Sequence, residues 1–211
     1  MLNMRCGKIV CVGQNYREHI REMRSDEPAE PVLFLKPSTS LIGDGEAILI
    51  PEGVGTVHHE VELALVIGTG GKDIPEKEAL SHVSHLAVFN DVTARDVQTA
   101  ARKAGLPRAL AKGMDTFAPM SRPIRSDQVP DLHSLDLELR VNGELRQKGS
   151  TAQMIFPPEL LISYISRFMT LEEGDIIATG TPSGVGQLQP GDIVEAAVTG
   201  VGTLRNPVRR R

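Results

Sequence analysis

Val57-His58-His59-Glu60-Val61-Glu62-Leu63-Ala64-Leu65-Val66-Ile67 is the longest strand-like run in the chain, and it carries two glutamates at alternate positions. Side chains two apart on a strand point to one face, so Glu60 and Glu62 are expected side by side. Val61, Leu63 and Leu65 fill the other face, while the glutamate face continues as Ala64, Val66 and Gly68. A strand that turns apolar on both sides beyond its acids is partly buried, and buried carboxylates are costly unless a cation compensates them. The competing reading is a solvated acidic stripe on a half-buried strand. His58 shares the glutamate side, as either a ligand or a packing residue.

A third carboxylate, Asp91, follows the apolar run Ala87-Val88-Phe89-Asn90. It either joins the glutamates or caps the next helix, a task open also to Thr93. An all-oxygen cluster suits a hard divalent ion, Mg2+ or Mn2+, better than zinc or copper.

Around this run the pattern predicts further strands at 9–12, 32–35, 47–50, 86–89, 175–179 and 192–198. Helices are expected at 16–23, with Asn15 as cap, and at 75–84, 94–104 and 157–169. Residues 25–31 are polar and rich in acid and proline, the composition of an exposed loop. Leu135, Leu137, Leu139 and Val141 alternate with polar residues, and Asn142-Gly143 then supplies the two left-handed positions of a tight hairpin turn. Strands outnumber helices and connections are short, which favours an α+β, β-rich mixed roll or barrel over a doubly wound sheet.

At 211 residues the chain fits one domain, and its net charge of −4 offers no basic field for nucleic acid or an anionic membrane. Aromatic residues make up 3% with no Trp, so base-stacking platforms are not expected. Arg209-Arg210-Arg211 reads as a solvated tail. No apolar stretch approaches the roughly 20 residues of a bilayer span, and the run 8–13 is too short for a signal peptide. Cys6 and Cys11 read as reduced thiols. A cytoplasmic protein is expected.

Four further groups of residues carry candidate chemistry. His19 and Glu22 lie three apart on the first helix, either a carboxylate-oriented base or a charged surface pair. Arg95 and Gln98 share a helix side, to bind a substrate carboxylate or to form a surface pair. Lys36 and Lys112 interrupt apolar surroundings, either to stabilise a developing oxyanion or to snorkel to solvent. Gly180-Thr181-Pro182-Ser183-Gly184-Val185-Gly186 lacks the Gly-Lys-Ser/Thr ending of a phosphate loop, but its N–H groups and the Thr181 hydroxyl suit a small anion.

Five segments in order carry a resemblance: Val32-Leu33-Phe34-Leu35-Lys36-Pro37, His58-His59-Glu60-Val61-Glu62-Leu63, Asp91-Val92-Thr93-Ala94-Arg95-Asp96-Val97-Gln98, Val141-Asn142-Gly143-Glu144 and Thr179 to Gly186. The chain resembles the fumarylacetoacetate hydrolase family, in particular its short acylpyruvase and oxaloacetate decarboxylase branch. The resemblance implies one β-roll domain over 1–211 with short flanking helices. Residues 1–45 would give a strand, lid helix and loop, and 46–211 the metal-binding roll. It implies a homodimer, with Mg2+ or Mn2+ on Glu60, Glu62 and Asp91. It further implies a His19–Glu22 acid–base dyad on a lid, Lys112 near the reacting carbonyl, and Arg95, Gln98, Lys36 and Thr181 around the substrate.

The activity so implied is hydrolysis or decarboxylation of small 2-oxo acids through a metal-stabilised enolate. Alternatives are an isomerase or decarboxylase of unsaturated 2-oxo dicarboxylates from aromatic breakdown, a fumarylpyruvate-type hydrolase, or a non-catalytic metabolite-binding dimer. The segment 113–121 departs from the acylpyruvase pattern after Lys112 and is expected to border the pocket.

Overall fold

A computed structural model describes residues 6–23 and 25–211. Val61–Ile67 is buried at every position, as its apolar faces require, and it occupies the middle of a six-stranded mixed sheet. Val83–Asn90 pairs with it antiparallel on one side and Ile176–Ala178 on the other. Ile124–Arg125 extends the first side; Ile9–Gly13 and then Val32–Lys36 extend the second. Ile9–Gly13 runs parallel to Ile176–Ala178, which brings the chain's beginning beside its last third.

A second sheet holds, in spatial order, Glu144–Ser150, Asp136–Val141, Ile193–Val198, Gly202–Arg210 and Ile48–Ile50. Leu63, Leu65 and Val88 of the first sheet share one apolar cluster with Leu137, Leu139, Val194 and Leu204 of the second. A small third sheet of Gly186–Leu188, Val57–His59 and Thr93–Ala94 lies beside the glutamates. The α-helices are short: Arg17–Glu22, Arg95–Lys103, Ala109–Lys112 and Pro158–Phe168. The result is the β-rich mixed roll with flanking short helices that the sequence predicts.

Several local expectations need correction. The run 57–67 is two strands in two sheets, divided at Glu60. There the Glu60 N–H donates to the Asn90 side-chain oxygen at 2.9 Å, and the Glu60 carbonyl accepts from the Asp91 N–H at 2.8 Å. Those two bonds replace the regular ladder at this residue. The segment 75–84 forms a 3-10 helix, Glu76–His82, that buries only Ala79, so no α-helical face is needed. Asn15 caps nothing: its amide donates to the Phe156 and Thr179 carbonyls and accepts from the Phe156 N–H, pinning the base of the first helix to the sheet. Neither Asp91 nor Thr93 caps Arg95–Lys103, which starts after Ala94 without a side-chain cap. Arg209 and Arg210 are not a free tail, because their backbone pairs with Leu49 and Ile50 while their side chains stay exposed.

The hairpin forms as expected, with Asn142 at φ 53° and Gly143 at φ 81°. A Cβ on Gly143 meets nothing within 4 Å, so Gly143→Ala isolates the cost of left-handed backbone. That change is expected to lower unfolding free energy by about 1 kcal/mol in a denaturant titration. An unchanged midpoint would show that the turn relaxes into another type.

Candidate active site

Strand register decides which carboxylates meet. Val61 lies opposite Asn90 and Glu62 opposite Phe89, so Glu60 falls opposite Asp91. One oxygen from each of Glu60, Glu62 and Asp91 lies within 4.8 Å of the others, and their residues are 5%, 1% and 1% exposed. Glu62 is fixed by the Gly180 N–H, which donates to its Oε2 at 2.8 Å. Gly180 has φ 98°, and a Cβ there would stand 2.8 Å from that of Asn15, so glycine is required for this close approach.

Cations are unevenly distributed over the three acids. Lys112 Nζ donates to Glu60 Oε2 at 2.9 Å and also pairs with Asp91 Oδ2. Arg95 reaches Glu60 Oε1 at 2.5 Å and Gln98 Oε1 at 2.7 Å. Burial alone would raise the Glu60 carboxyl, but Lys112 and Arg95 outweigh it and hold the group well below the usual range. Burial likewise disfavours the Lys112 charge, yet Asp91 and Glu60 raise its pKa above the ordinary lysine value. Glu62 has no such partner among the described residues. Burial, then Asp91 and Glu60, push its carboxyl well above the usual range.

This donor set fits a divalent cation. It is all oxygen, buried and gathered, and one member resists ionisation for want of positive charge. Asp91 by contrast is compensated: Lys36 Nζ stands 2.6 Å from its Oδ1, and the same ammonium donates to the Val92 and Lys112 carbonyls at 3.0 and 2.6 Å. The Lys36 side chain is 0% exposed. Lys36, expected around the substrate, is thus not among the residues that line the cavity; the strand register that sets it opposite Ile9 turns it inward behind Asp91. His58 is not in the cluster either. It accepts from Arg95 Nε at 3.4 Å, and burial followed by Arg95 lowers its pKa to about 4.

The first helix closes over this floor. His19 Nδ1 lies 3.1 Å from Glu22 Oε2, and both Glu22 oxygens accept from the Gly184 N–H at 3.1 and 3.2 Å. Glu22 thus holds the imidazole and docks the helix onto the loop after Gly180. An ionised carboxylate only accepts, so Nδ1 carries the hydrogen, and in the neutral imidazole Nε2 is left with its lone pair.

One cavity brings together His19, Glu60, Glu62, Asp91, Arg95, Gln98, Lys112 and Thr181. Of the segment 113–121, expected at its border, no residue lines it. From the loop 25–31 only Ser25 reaches it. Two arginines not singled out from the sequence also line it, Arg102 and Arg108. Arg102 continues the Arg95–Gln98 side of its helix by another turn, a spacing legible in the sequence. Among the described residues the arginine ion pairs involve Arg17, Arg95, Arg125, Arg140, Arg146 and Arg205, so Arg102 and Arg108 face the cavity unpaired.

Fold and site together define a β-roll enzyme built on a buried three-carboxylate centre. Residues 8–209 match the fumarylacetoacetate (FAA) hydrolase C-terminal family, and the chain belongs to that family. It is 49% identical to mouse "oxaloacetate tautomerase FAHD1, mitochondrial" over 96% of this chain and 91% of that protein. Fumarylpyruvate hydrolase from Pseudomonas aeruginosa, solved with Mn2+ and pyruvate, superposes with a TM-score of 0.94 at 36% identity, covering 98% of this chain and 91% of the other. The 5-carboxymethyl-2-hydroxymuconate delta-isomerase of Mycobacterium smegmatis gives 0.88 at 42% identity, covering 98% and 80%. No helix among the described residues is long and apolar enough to cross a membrane.

Proposed function

We propose that this enzyme is an oxaloacetate tautomerase, interconverting the enol and keto forms of a small 2-oxo dicarboxylate. One observation carries the reading: a carboxylate-oriented histidine, a three-carboxylate floor and two unpaired arginines face one cavity. The relationship to the mouse tautomerase at 49% identity supports it. Mg2+ or Mn2+ held by Glu60, Glu62 and Asp91 would supply a Lewis acid that polarises the 2-oxo group. In the keto-to-enol direction the His19 Nε2 lone pair removes a proton from carbon 3, and Glu22 stabilises the resulting imidazolium. The same proton then passes from Nε2 to the 2-oxo oxygen; the reverse sequence takes the enol proton and returns it to carbon 3. Arg95, Gln98 and Thr181 bind the carboxylate next to the oxo group. Lys112 fixes Glu60 and Asp91 and adds positive potential where the enol oxygen carries charge. Arg102 and Arg108 receive the far carboxylate.

A second reading, carbon–carbon hydrolysis of an acylpyruvate with His19 activating water, is supported by the P. aeruginosa fumarylpyruvate hydrolase. Turnover separates the two. Metal-stripped protein is supplied with Mg2+ or Mn2+ and given enol-oxaloacetate, then acetylpyruvate, and enol absorbance and released pyruvate are followed. Metal-dependent loss of the oxaloacetate enol without stoichiometric pyruvate supports tautomerisation; rapid pyruvate release from acetylpyruvate transfers the assignment to the hydrolase.

The arginines give a prediction on substrate choice. Arg108→Ala and Arg102→Ala should each raise KM for oxaloacetate about tenfold, the loss of one charge-assisted contact partly screened by solvent. KM for a 2-oxo monocarboxylate should hardly move. Equal effects on both classes would show that the arginines do not read the second carboxylate.

A further inference from the structure

We infer that Gln147, a residue of the second sheet, is a positioning residue that aims the Thr181 hydroxyl proton into the cavity. Gln147 is 1% exposed and makes four hydrogen bonds whose direction is forced. Its Oε1 accepts from the Val61 N–H at 3.1 Å, and its Nε2 donates to the Pro182 carbonyl at 2.9 Å. A backbone N–H can only donate and a carbonyl can only accept, so these two bonds fix which end of the amide is which.

The other two bonds follow. His59 Nδ1 stands 2.8 Å from Oε1, an acceptor, so His59 is the Nδ1–H tautomer. Its Nε2 is then a bare lone pair, consistent with that atom being buried without a partner. On the other side, Nε2 of Gln147 lies 2.8 Å from Thr181 Oγ1 and donates to it. Thr181 therefore accepts from the protein, and among the described residues it donates to nothing. It lines the cavity at 4% exposure. Its single proton is left for an anion or oxo oxygen there.

The chain of direction thus runs from Val61 and Pro182 through Gln147 to a substrate-facing donor. A threonine free to rotate would spend part of its time as an acceptor toward the cavity, repelling a carboxylate; this one is held as a donor before substrate arrives. The inference rests on the reading of the cavity as a 2-oxo acid site, and its test separates failure of the two.

The test measures pyruvate binding to the Mn2+-loaded protein by calorimetry, for Thr181→Val, Gln147→Glu and the double variant. Glutamate in place of Gln147 keeps its bonds from Val61 and His59 but cannot donate, so the threonine proton turns back toward it. Each single variant should weaken pyruvate binding about tenfold, and the double variant should be no weaker than Thr181→Val alone. Thr181→Ser, which keeps the hydroxyl, should recover most of the affinity that Thr181→Val loses. Unchanged affinity in Thr181→Val would remove Thr181 from the substrate site altogether. Loss in Thr181→Val with none in Gln147→Glu, or additive losses in the double variant, would overturn the positioning role alone. Nitrogen-15 spectra of His59 in the unaltered protein give an independent check, since an Nε2–H tautomer contradicts the assignment whatever the variants do.

Discussion

Glu62→Gln is expected to weaken Mn2+ and Mg2+ binding by more than about a hundredfold, and to raise the melting temperature of the metal-free protein at neutral pH. Loss of a residue that merely orients a ligand costs about 10–100-fold in metal affinity, so loss of a ligand should exceed that. The opposite sign on stability comes from the distribution of charge. Lys112, Arg95 and Lys36 pair with Glu60 and Asp91; nothing comparable among the described residues reaches Glu62, whose carboxyl is pushed up by burial, Asp91 and Glu60. Between its ordinary value of 4.5 and its raised folded value, the native protein holds a proton that the unfolded chain has released. Stability of the metal-free protein therefore falls as pH rises through that window, and affinity for a divalent ion rises as the proton is displaced. An amide removes both dependences while still accepting from the Gly180 N–H. A metal-free Glu62→Gln protein that melts lower, or binds Mn2+ normally, would sink the assignment of Glu62 as an uncompensated ligand.

The sequence made part of this centre visible and hid the rest, for reasons that differ by residue. Glu60 and Glu62 could be paired because a strand's two-residue period is local information. The break at Glu60 was not visible, since it depends on Asn90 reaching across from another strand. That the chain passes between two sheets there does not disturb the pairing of the acids, because both still face the same cavity. Lys36 shows the limit of composition: a lysine among apolar residues reads alike whether it ends in a pocket or in a buried ion pair, and only register chose the second. Gln147 lies in Glu144-Leu145-Arg146-Gln147-Lys148, a segment that looks solvated throughout. Leu145 is 41% exposed there and Gln147 is buried, reversing what hydrophobicity suggests; contact with His59, Val61 and Thr181 outweighs it. The strand Gly202–Arg210 was hidden by its glycine, proline and arginines, and it forms because Ile193–Val198 and Ile48–Ile50 pair on either side of it.

His19→Ala should lower kcat for enol–keto conversion by roughly 10²- to 10⁴-fold, the usual contribution of a positioned acid–base group, with Mn2+ affinity unchanged. The informative companion is Glu22→Gln. Its amide oxygen can still accept from the Gly184 N–H, so the first helix stays docked and the melting temperature should hold. The remaining amide hydrogens then face His19 Nδ1, which must become an acceptor, and the imidazole proton moves to Nε2. The cavity-facing lone pair is thereby lost without loss of any side chain from the site. Glu22→Gln should accordingly reproduce most of the kcat loss of His19→Ala at nearly normal KM, whereas Glu22→Ala should also raise KM, because the helix loses its anchor at Gly184. Since the two residues act as one device, the double variant His19→Ala/Glu22→Gln should be no slower than His19→Ala alone. Additive losses would mean that Glu22 works independently of the histidine, and undiminished turnover in His19→Ala would leave the proton transfer to some other group.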